Sequence, residues 1–560
     1  VATRDITEGR GSATASIGRA IAVDLGIVSS SSTWQNTNES YDVAVGGLPF
    51  FYAISDARPY IRQTAPFRKE QSDIGTEPGE QSLTGFWLRS QSSFHNGTGI
   101  KFYDPSAGET VNYRFADSDN VDVWTKGQVT LLKETANMTG VTTGVYKVLS
   151  IVDGSTNKIL GWTPANTTIN NYTASGTAVT YTHVVTAGLD TATLAIATDG
   201  AHLFIADNDH IYTGEIDTPT SGYTEYYNTG SEKVVLAWVK QRLVGCIGAS
   251  VYELTNVKGS SHALPTATYT HPNADWTWSS ISEGGSAIYA AGYLGGNSAI
   301  YKFVLSTAGV MPTLTSGIVA AQLPIGEIVY KIESYLGYLM IGTNKGMRVA
   351  SISDTTGDLS YGPLIFEDTN GVYDFAFRDK YVWATGTIGT SPGLYRIDLG
   401  TEIESLRFAY AKDTYLSTAT GYATSVDFIG NTNQLAFTTS GSNGIAVQST
   451  TVLATSGSIT TGKIRFSTLE PKNYKRLIGR GTFTSGGFTL SSLATEASGN
   501  ETQYDHITYN SGVDAVEVTT SQPETAQEFL AYKFTLDRDT TDTTTGPTFK
   551  GYQAKATIAS

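Results

Sequence analysis

Acidic pairs are the first places where this chain could do chemistry. Asp207 and Asp209 stand together in ADNDH, and Asp374 and Asp379 bracket YDFAFRD. Two carboxylates opposed across a sugar can divide the acid and base roles of glycoside hydrolysis. The plainer reading makes all four turn or loop carboxylates, and nothing in their spacing opposes them across a cleft. ADSDNVD (116–122) and DRDTTD (537–542) gather oxygen ligands that would suit Ca²⁺, but without the spacing of an EF-hand loop. Solvated linkers are the alternative there. Seven histidines are scattered: His95, His183, His202, His210, His262, His271 and His506. HExxH, clustered Cys/His ligands, a phosphate loop and a GxSxG elbow are all missing from the sequence. The expectation is a protein that is not an enzyme, with no metal and no cofactor.

Aromatic residues offer recognition rather than reaction. SGYTEYYNTG (221–230) carries Tyr223, Glu225, Tyr226 and Tyr227 in a turn-rich stretch. Tyrosine gives rigid flat area and a hydroxyl, suited to sugars or proteins, so these four are the candidate recognition surface. The alternative is that the rings pack an outer strand. In FWLRSQ, Phe86 and Leu88 fall on one face of a strand, Trp87 and Arg89 on the other. Phe86, Trp87 and Arg89 are the candidate assembly contact, with ordinary core as the alternative. Trp276 and Trp278 alternate in DWTW and read as packing between elements. The single cysteine, Cys246, cannot close an intramolecular disulfide and reads as a small core residue.

The elements that must hold these residues announce themselves by repetition. GVYKVLS at Gly144, HIYTGEI at His210, SVYELTN at Ser250, AIYKFVL at Ala299, GMRVAS at Gly346, GLYRIDLG at Gly393 and GIAVQS at Gly444 are variants of one short strand. Most follow one another at about 40–50 residues, the repeat length of β-propeller blades. Other β-prone runs precede each copy, such as IVYKIES (328–334) and YLMIGT (338–343). The fold class expected is all-β: a β-propeller of about seven blades, six to eight in range. The long first step leaves room for an insertion or a missed blade. Ring closure should pair strands from the two ends of the repeat, with VDVWTKG (121–127) and SGSITTG (456–462) lying near those ends.

Flanking segments complete the plan. Residues 1–120 hold an arm of small residues and a hairpin over 83–105, turning at NGTG (96–99). Residues 121–462 form the propeller. Residues 463–560 carry six strand candidates, KIRFSTL, FTLSSL, HITYN, AVEVTT, YKFTLDR and YQAKATI, enough for a small β-sandwich. PETAQEF (523–529) is a helix candidate with Pro near its first turn.

Three passages are familiar together: residues 60–105, KIRFSTLEPKNYKRL (463–477), and FLAYKFTLDRD with GPTFKGYQAKA (529–539 and 546–556). They resemble the minor tail proteins of long-tailed bacteriophages that infect actinobacteria. The resemblance brackets the repeat region from both sides. It implies a virion structural protein of the tail tip or baseplate, assembled in the host cytoplasm. The partners implied are other tail proteins, further copies around the tail axis, and a host-envelope glycan or protein. It supplies no catalytic residues.

Bulk properties agree with a large β protein. The chain has 560 residues, with charged residues at only 16% against about 25% in typical domains. Gly, Ser, Thr, Asn and Tyr fill the difference. The net charge of −15 and the lack of a basic stripe argue against nucleic-acid partners. No apolar run reaches the roughly 20 residues of a membrane span, and no signal peptide is evident. Two rivals remain: a propeller glycoside hydrolase, which predicts acidic residues converging in the central channel, and a secreted carbohydrate-binding propeller.

Overall fold

A computed structural model describes residues 86–103, 113–138, 145–163, 195–207, 209–216, 223–230, 232–254, 261–304, 318–441, 444–483 and 526–558, with shorter strand segments within 43–83, 168–184 and 485–520. The arm read from the first residues lies outside them. No helix forms among the described residues. The chain divides into two compact units, 132–454 and the joined flanks 1–131 with 455–560.

Unit 132–454 is a seven-bladed propeller. Each blade is a sheet whose first three strands are antiparallel and follow chain order. The first strands are Lys147–Asp153, Ala195–Thr198, Val234–Val239, Thr277–Gly284, Val329–Tyr335, Phe375–Arg378 and Ala423–Phe428 for blades 1 to 7. Tight turns suit this order. Gly285 and Gly337 take positive φ values of 52° and 83° between first and second strands, where glycine carries no Cβ penalty.

An apolar cluster fills every boundary between neighbours, including the one that closes the ring. Ile151, Leu160 and Trp162 of blade 1 meet Leu203, Ile205 and Tyr212 of blade 2. Ile332, Leu339 and Ile341 of blade 5 meet Ala287, Tyr289 and Ile300 of blade 4. Val145, Val148 and Ile159 meet Ile429, Ala436 and Ile445, joining blade 1 to blade 7. Each fully buried aliphatic contributes roughly 1.5–3 kcal/mol, and only a closed ring covers both faces of every blade. Trp276 and Trp278 are buried at the boundary of blades 3 and 4, as the sequence suggests.

Six of the seven repeated segments are third strands, from His210–Glu215 in blade 2 to Ile445–Leu453 in blade 7. GVYKVLS instead runs into the first strand of blade 1, whose third strand is Thr168–Thr173. The long first step is therefore a change of strand, with neither an insertion nor a missing blade. Small residues open these strands because space is short. A Cβ at Gly393 would stand 2.5 Å from the Cβ of Tyr415.

Closure differs from both expected candidates. Lys133–Asn137, from before blade 1, becomes the fourth strand of blade 7 and pairs antiparallel with Ile445–Leu453. Ser456–Thr460 pairs instead with Asp117–Asp119 and Ala531–Asp537, and Val121–Asp122 pairs with Thr130–Leu131.

Those pairings belong to the other unit, a β-sandwich that both flanks build together. Its five-stranded sheets run Glu501–Tyr509, Gly487–Thr495, Ala531–Asp537, Ser456–Thr460, Asp117–Asp119 and Glu80–Leu83, Phe86–Gln91, Thr548–Ile558, Lys472–Thr482, Glu517–Thr520. Phe488 and Phe534 of the first sheet stack on Phe549 of the second, at 5.5 and 4.4 Å between centroids. The division into 1–120, 121–462 and 463–560 thus gives way to two units, because strands from the two flanks hydrogen-bond to each other.

Three local expectations change as well. Phe86–Gln91 pairs with Glu80–Leu83 and with Tyr552–Ala556, not with a return strand after NGTG. KIRFSTL supplies only the bridging residues Lys463 and Ile464, and the strand begins at Lys472. Residues 526–529 are not helical: Gln527 exchanges backbone hydrogen bonds with Lys472.

Candidate functional site

The first strands of the blades surround the ring axis, and charged residues in or beside four of them gather into one cluster. Blades 5, 6, 7 and 1 contribute Lys331 and Glu333, Asp374, Asp427, and Lys147 respectively. Lys331 Nζ stands 3.3 Å from Glu333 Oε2 and 3.3 Å from Asp374 Oδ1. Asp374 Oδ2 accepts a 2.5 Å hydrogen bond from Ser425 Oγ and one from the Val426 N–H. Asp427 accepts from the N–H groups of Ser150 and Phe428, both at 2.7 Å. Lys147 Nζ donates to the Thr424 carbonyl at 3.3 Å. Side-chain oxygens thus bond backbone N–H groups from one first strand to the next, where no ladder joins the blades.

Enclosure sets the charges apart. Burial pushes Asp427 up to about 7; its two backbone donors oppose this, while Asp374 and Glu333 add to it. Burial also raises Glu333, against the pull of Lys331. Asp374 goes the other way: burial works against its charge, but Lys331, Lys147 and the hydrogen bonds from blade 7 outweigh it. Lys147 is lowered by burial, partly offset by Asp374. Water still reaches the group, since the Lys331 and Glu333 side chains keep 32% and 37% exposure. One carboxyl lowered beside two raised is the pattern that separates acid from base.

A belt of tyrosines adjoins these charges in the chain. Tyr146, Tyr330 and Tyr373 immediately precede Lys147, Lys331 and Asp374, and Tyr422 opens blade 7. Tyr330 stacks on Tyr373 at 4.6 Å and Tyr373 on Tyr422 at 5.2 Å. The Tyr146 hydroxyl is raised by burial and by the neighbouring Tyr422 hydroxyl. All four rings are half-buried. Flat faces beside fixed charges can hold a polar ring such as a sugar.

The residues expected to act fall elsewhere. Asp374 joins the axial cluster, but Asp379 sits in a turn at φ 53°, and its carbonyl accepts from Tyr335. Tyr226 and Tyr227 are buried, 2% and 0% exposed, in the core between blades 2 and 3. Tyr223 lies half-buried over Gly214, whose Cβ would meet its ring at 2.8 Å. His262–Ala263 adds a fifth strand outside Thr224–Asn228 and covers it. Of the four recognition candidates only Tyr223 and Glu225 are partly exposed, and Glu225 accepts a hydrogen bond from Ser261. The packing alternative is the correct one for the two buried tyrosines.

The assembly candidates are interior as well. Trp87, 2% exposed, stacks on Phe466 at 5.9 Å, and Arg89, fully buried, lies 3.3 Å over the Tyr103 ring and donates to the Tyr552 hydroxyl. They hold the sandwich together rather than present a surface. The Phe86 side chain lies outside the described residues. The Asp-rich stretches cap their own turns: Asp539 accepts from the N–H groups of Thr541 and Asp542, and Asp122 from Trp124.

No family model matches the chain, and no curated protein matches it. Among solved structures it is similar to the β-propeller domain of Cps50 (Swd1) from Myceliophteria thermophila: 11% identity, TM-score 0.40, covering 57% of this chain and all of that one. It is also similar to the WD40 β-propeller domain of Doa1, at 13% identity and TM-score 0.37, covering 57% of this chain and 97% of that one. At such low similarity neither likeness is taken further, and the propeller rests on its own seven sheets.

Proposed function

We propose that the chain is a structural component of a bacteriophage tail tip, whose propeller contributes to attachment at the host surface. One observation carries this reading: the separated passages that resemble actinobacteriophage minor tail proteins meet in one domain. Strands from 86–91, 472–482 and 548–558 lie side by side in a single sheet. The propeller is inserted between the two flanks that build that sandwich, at 132–454. A particle-bound domain carrying an inserted display domain is a sensible design for presenting loops on a rigid scaffold. The axial tyrosines and charges then serve as the glycan-binding element.

Immunogold labelling of intact particles with an antibody against the native chain tests the role. Label at the tail tip is the expected result. No label, with the chain also missing from purified particles, overturns it. A second reading, a propeller glycosidase, is favoured by the separated acidities of Asp374, Glu333 and Asp427. It predicts glycan turnover by purified protein that is lost in both Asp374→Asn and Glu333→Gln.

A further inference from the structure

We infer that the second turn of blade 2 is a binding site for one divalent transition-metal ion of the Mn²⁺ or Zn²⁺ class, held by Asp207, Asp209 and His210. The turn joins His202–Ala206 to His210–Glu215. One ligand atom from each of the three residues lies within 4.8 Å of the others. Asp207 Oδ1 is already committed, accepting from the N–H groups of Asp209 and His210 at 3.1 and 2.6 Å. Its neighbour Oδ2 has neither solvent nor a hydrogen-bond partner, in a residue that is 0% exposed. A buried carboxylate oxygen left this way is costly unless something binds it.

The remaining geometry lies close to that of a metal site, with its histidine and second aspartate at hydrogen-bond distance. His210 Nδ1 stands 2.7 Å from Asp209 Oδ1. An ion bonded at about 2.1 Å to nitrogen and to oxygen separates them by roughly 3 Å, so a slight opening of this pair admits it. An ion on Nδ1 leaves the ring proton on Nε2, so the Asn228 amide, 3.1 Å away, must then present its oxygen to that N–H rather than its NH₂. Glu225 Oε1, 3.8 Å from Nε2, adds negative charge beside the ring. One imidazole with two carboxylates is a mixed donor set, softer than the all-oxygen shells preferred by Ca²⁺ and Mg²⁺.

In a comparable turn of the same blade both carboxylate oxygens are partnered. Asp199 Oδ1 accepts from the N–H groups of Ala201 and His202, but its Oδ2 is met by His202 Nδ1 at 3.1 Å. His202→Gln is therefore a matched control. The test is calorimetric titration of the chelator-treated full chain with MnCl₂ and with ZnCl₂, repeated for Asp207→Asn, Asp209→Asn, His210→Gln and His202→Gln. Asp207→Asn keeps the turn-capping oxygen, and Asp209 and His210 are partly exposed, so the fold is retained in at least the latter two. A single ion per chain is expected for the parent and for His202→Gln. Affinity should fall by at least ~100-fold in the site variants, the upper end of what loss of an outer partner causes. Absence of stoichiometric binding by the parent, or undiminished binding by His210→Gln or Asp209→Asn, overturns the assignment.

Discussion

Lys331 Nζ and Asp374 Oδ1 lie 3.3 Å apart across the boundary between blades 5 and 6. Asp374 in turn bonds Ser425 and Val426 of blade 7, so one ion pair couples three blades. Lys331→Met should lower stability by about 1–3 kcal/mol, less than a fully dry pair because water reaches the lysine. Urea unfolding reads the change directly. A variant as stable as the parent would mean that the pair orders the axis without stabilising it.

Acid and alkali should act on different carboxyls. The folded value of Asp427, about 7, lies above its unfolded one, so the folded state binds more protons between about pH 4 and pH 7. Stability should fall as pH rises through that window. Raised Glu333 adds the same sign. Lowered Asp374 contributes stability above the ordinary carboxylate range that is lost as pH falls below it. Asp427→Asn should flatten the slope between pH 4 and 7 and leave the acid limb in place. An unchanged slope in that variant sinks the assignment.

Closure of the ring depends on a short outer strand. Met138 N–H bonds the Ile445 carbonyl at 2.7 Å, and ladder alternation makes Ala136 opposite Val447 the next bonded pair. Ala136→Pro removes that donor and should cost about 1–3 kcal/mol. Hydrogen exchange should quicken in Ile445–Leu453 and in blade 1. Faster exchange confined to residues 133–137 would show that the boundary clusters alone keep the ring shut.

These pieces were unequally legible in the sequence. Third strands stood out because Gly393 and its counterparts face crowded neighbours while their tyrosines bury rings: Tyr395 stacks on Phe366 and gives its hydroxyl to the Thr387 carbonyl. The closing strand KETAN has no apolar alternation, since it pairs chiefly through its backbone. The axial cluster was hidden by distance, its members running from Lys147 to Asp427 in the chain. Its one trace is a tyrosine followed by a charge at 146–147, 330–331 and 373–374. Tyr226 and Tyr227 misled because the strand covering them, His262–Ala263, arrives more than thirty residues later.

Trp87 now reads as core. Trp87→Ala should destabilise the sandwich by about 3–5 kcal/mol. Exchange should accelerate at Phe86–Gln91 and Thr548–Ile558 while Tyr338–Thr343 in the propeller keeps its protection. Normal protection around the substitution would return this side chain to the list of surface contacts.

Cys246 is buried among apolar neighbours, and burial pushes its thiol far above the usual range. Ellman's reagent should leave it unmodified in the folded chain and titrate one thiol in guanidinium. Rapid reaction under native conditions would place it in an opening of the boundary between blades 3 and 4.

The chain enters the propeller at Leu132 and leaves it at Ala454, and these residues share a 2.8 Å hydrogen bond. Tension that drew these two residues apart would pull on adjacent ends of an antiparallel pair. Such loading peels bonds one after another instead of shearing them together. Within the ring the first bonds to yield would be those of the ladder between Lys133–Asn137 and Ile445–Leu453, so the ring has a mechanical seam at the strand that completes it.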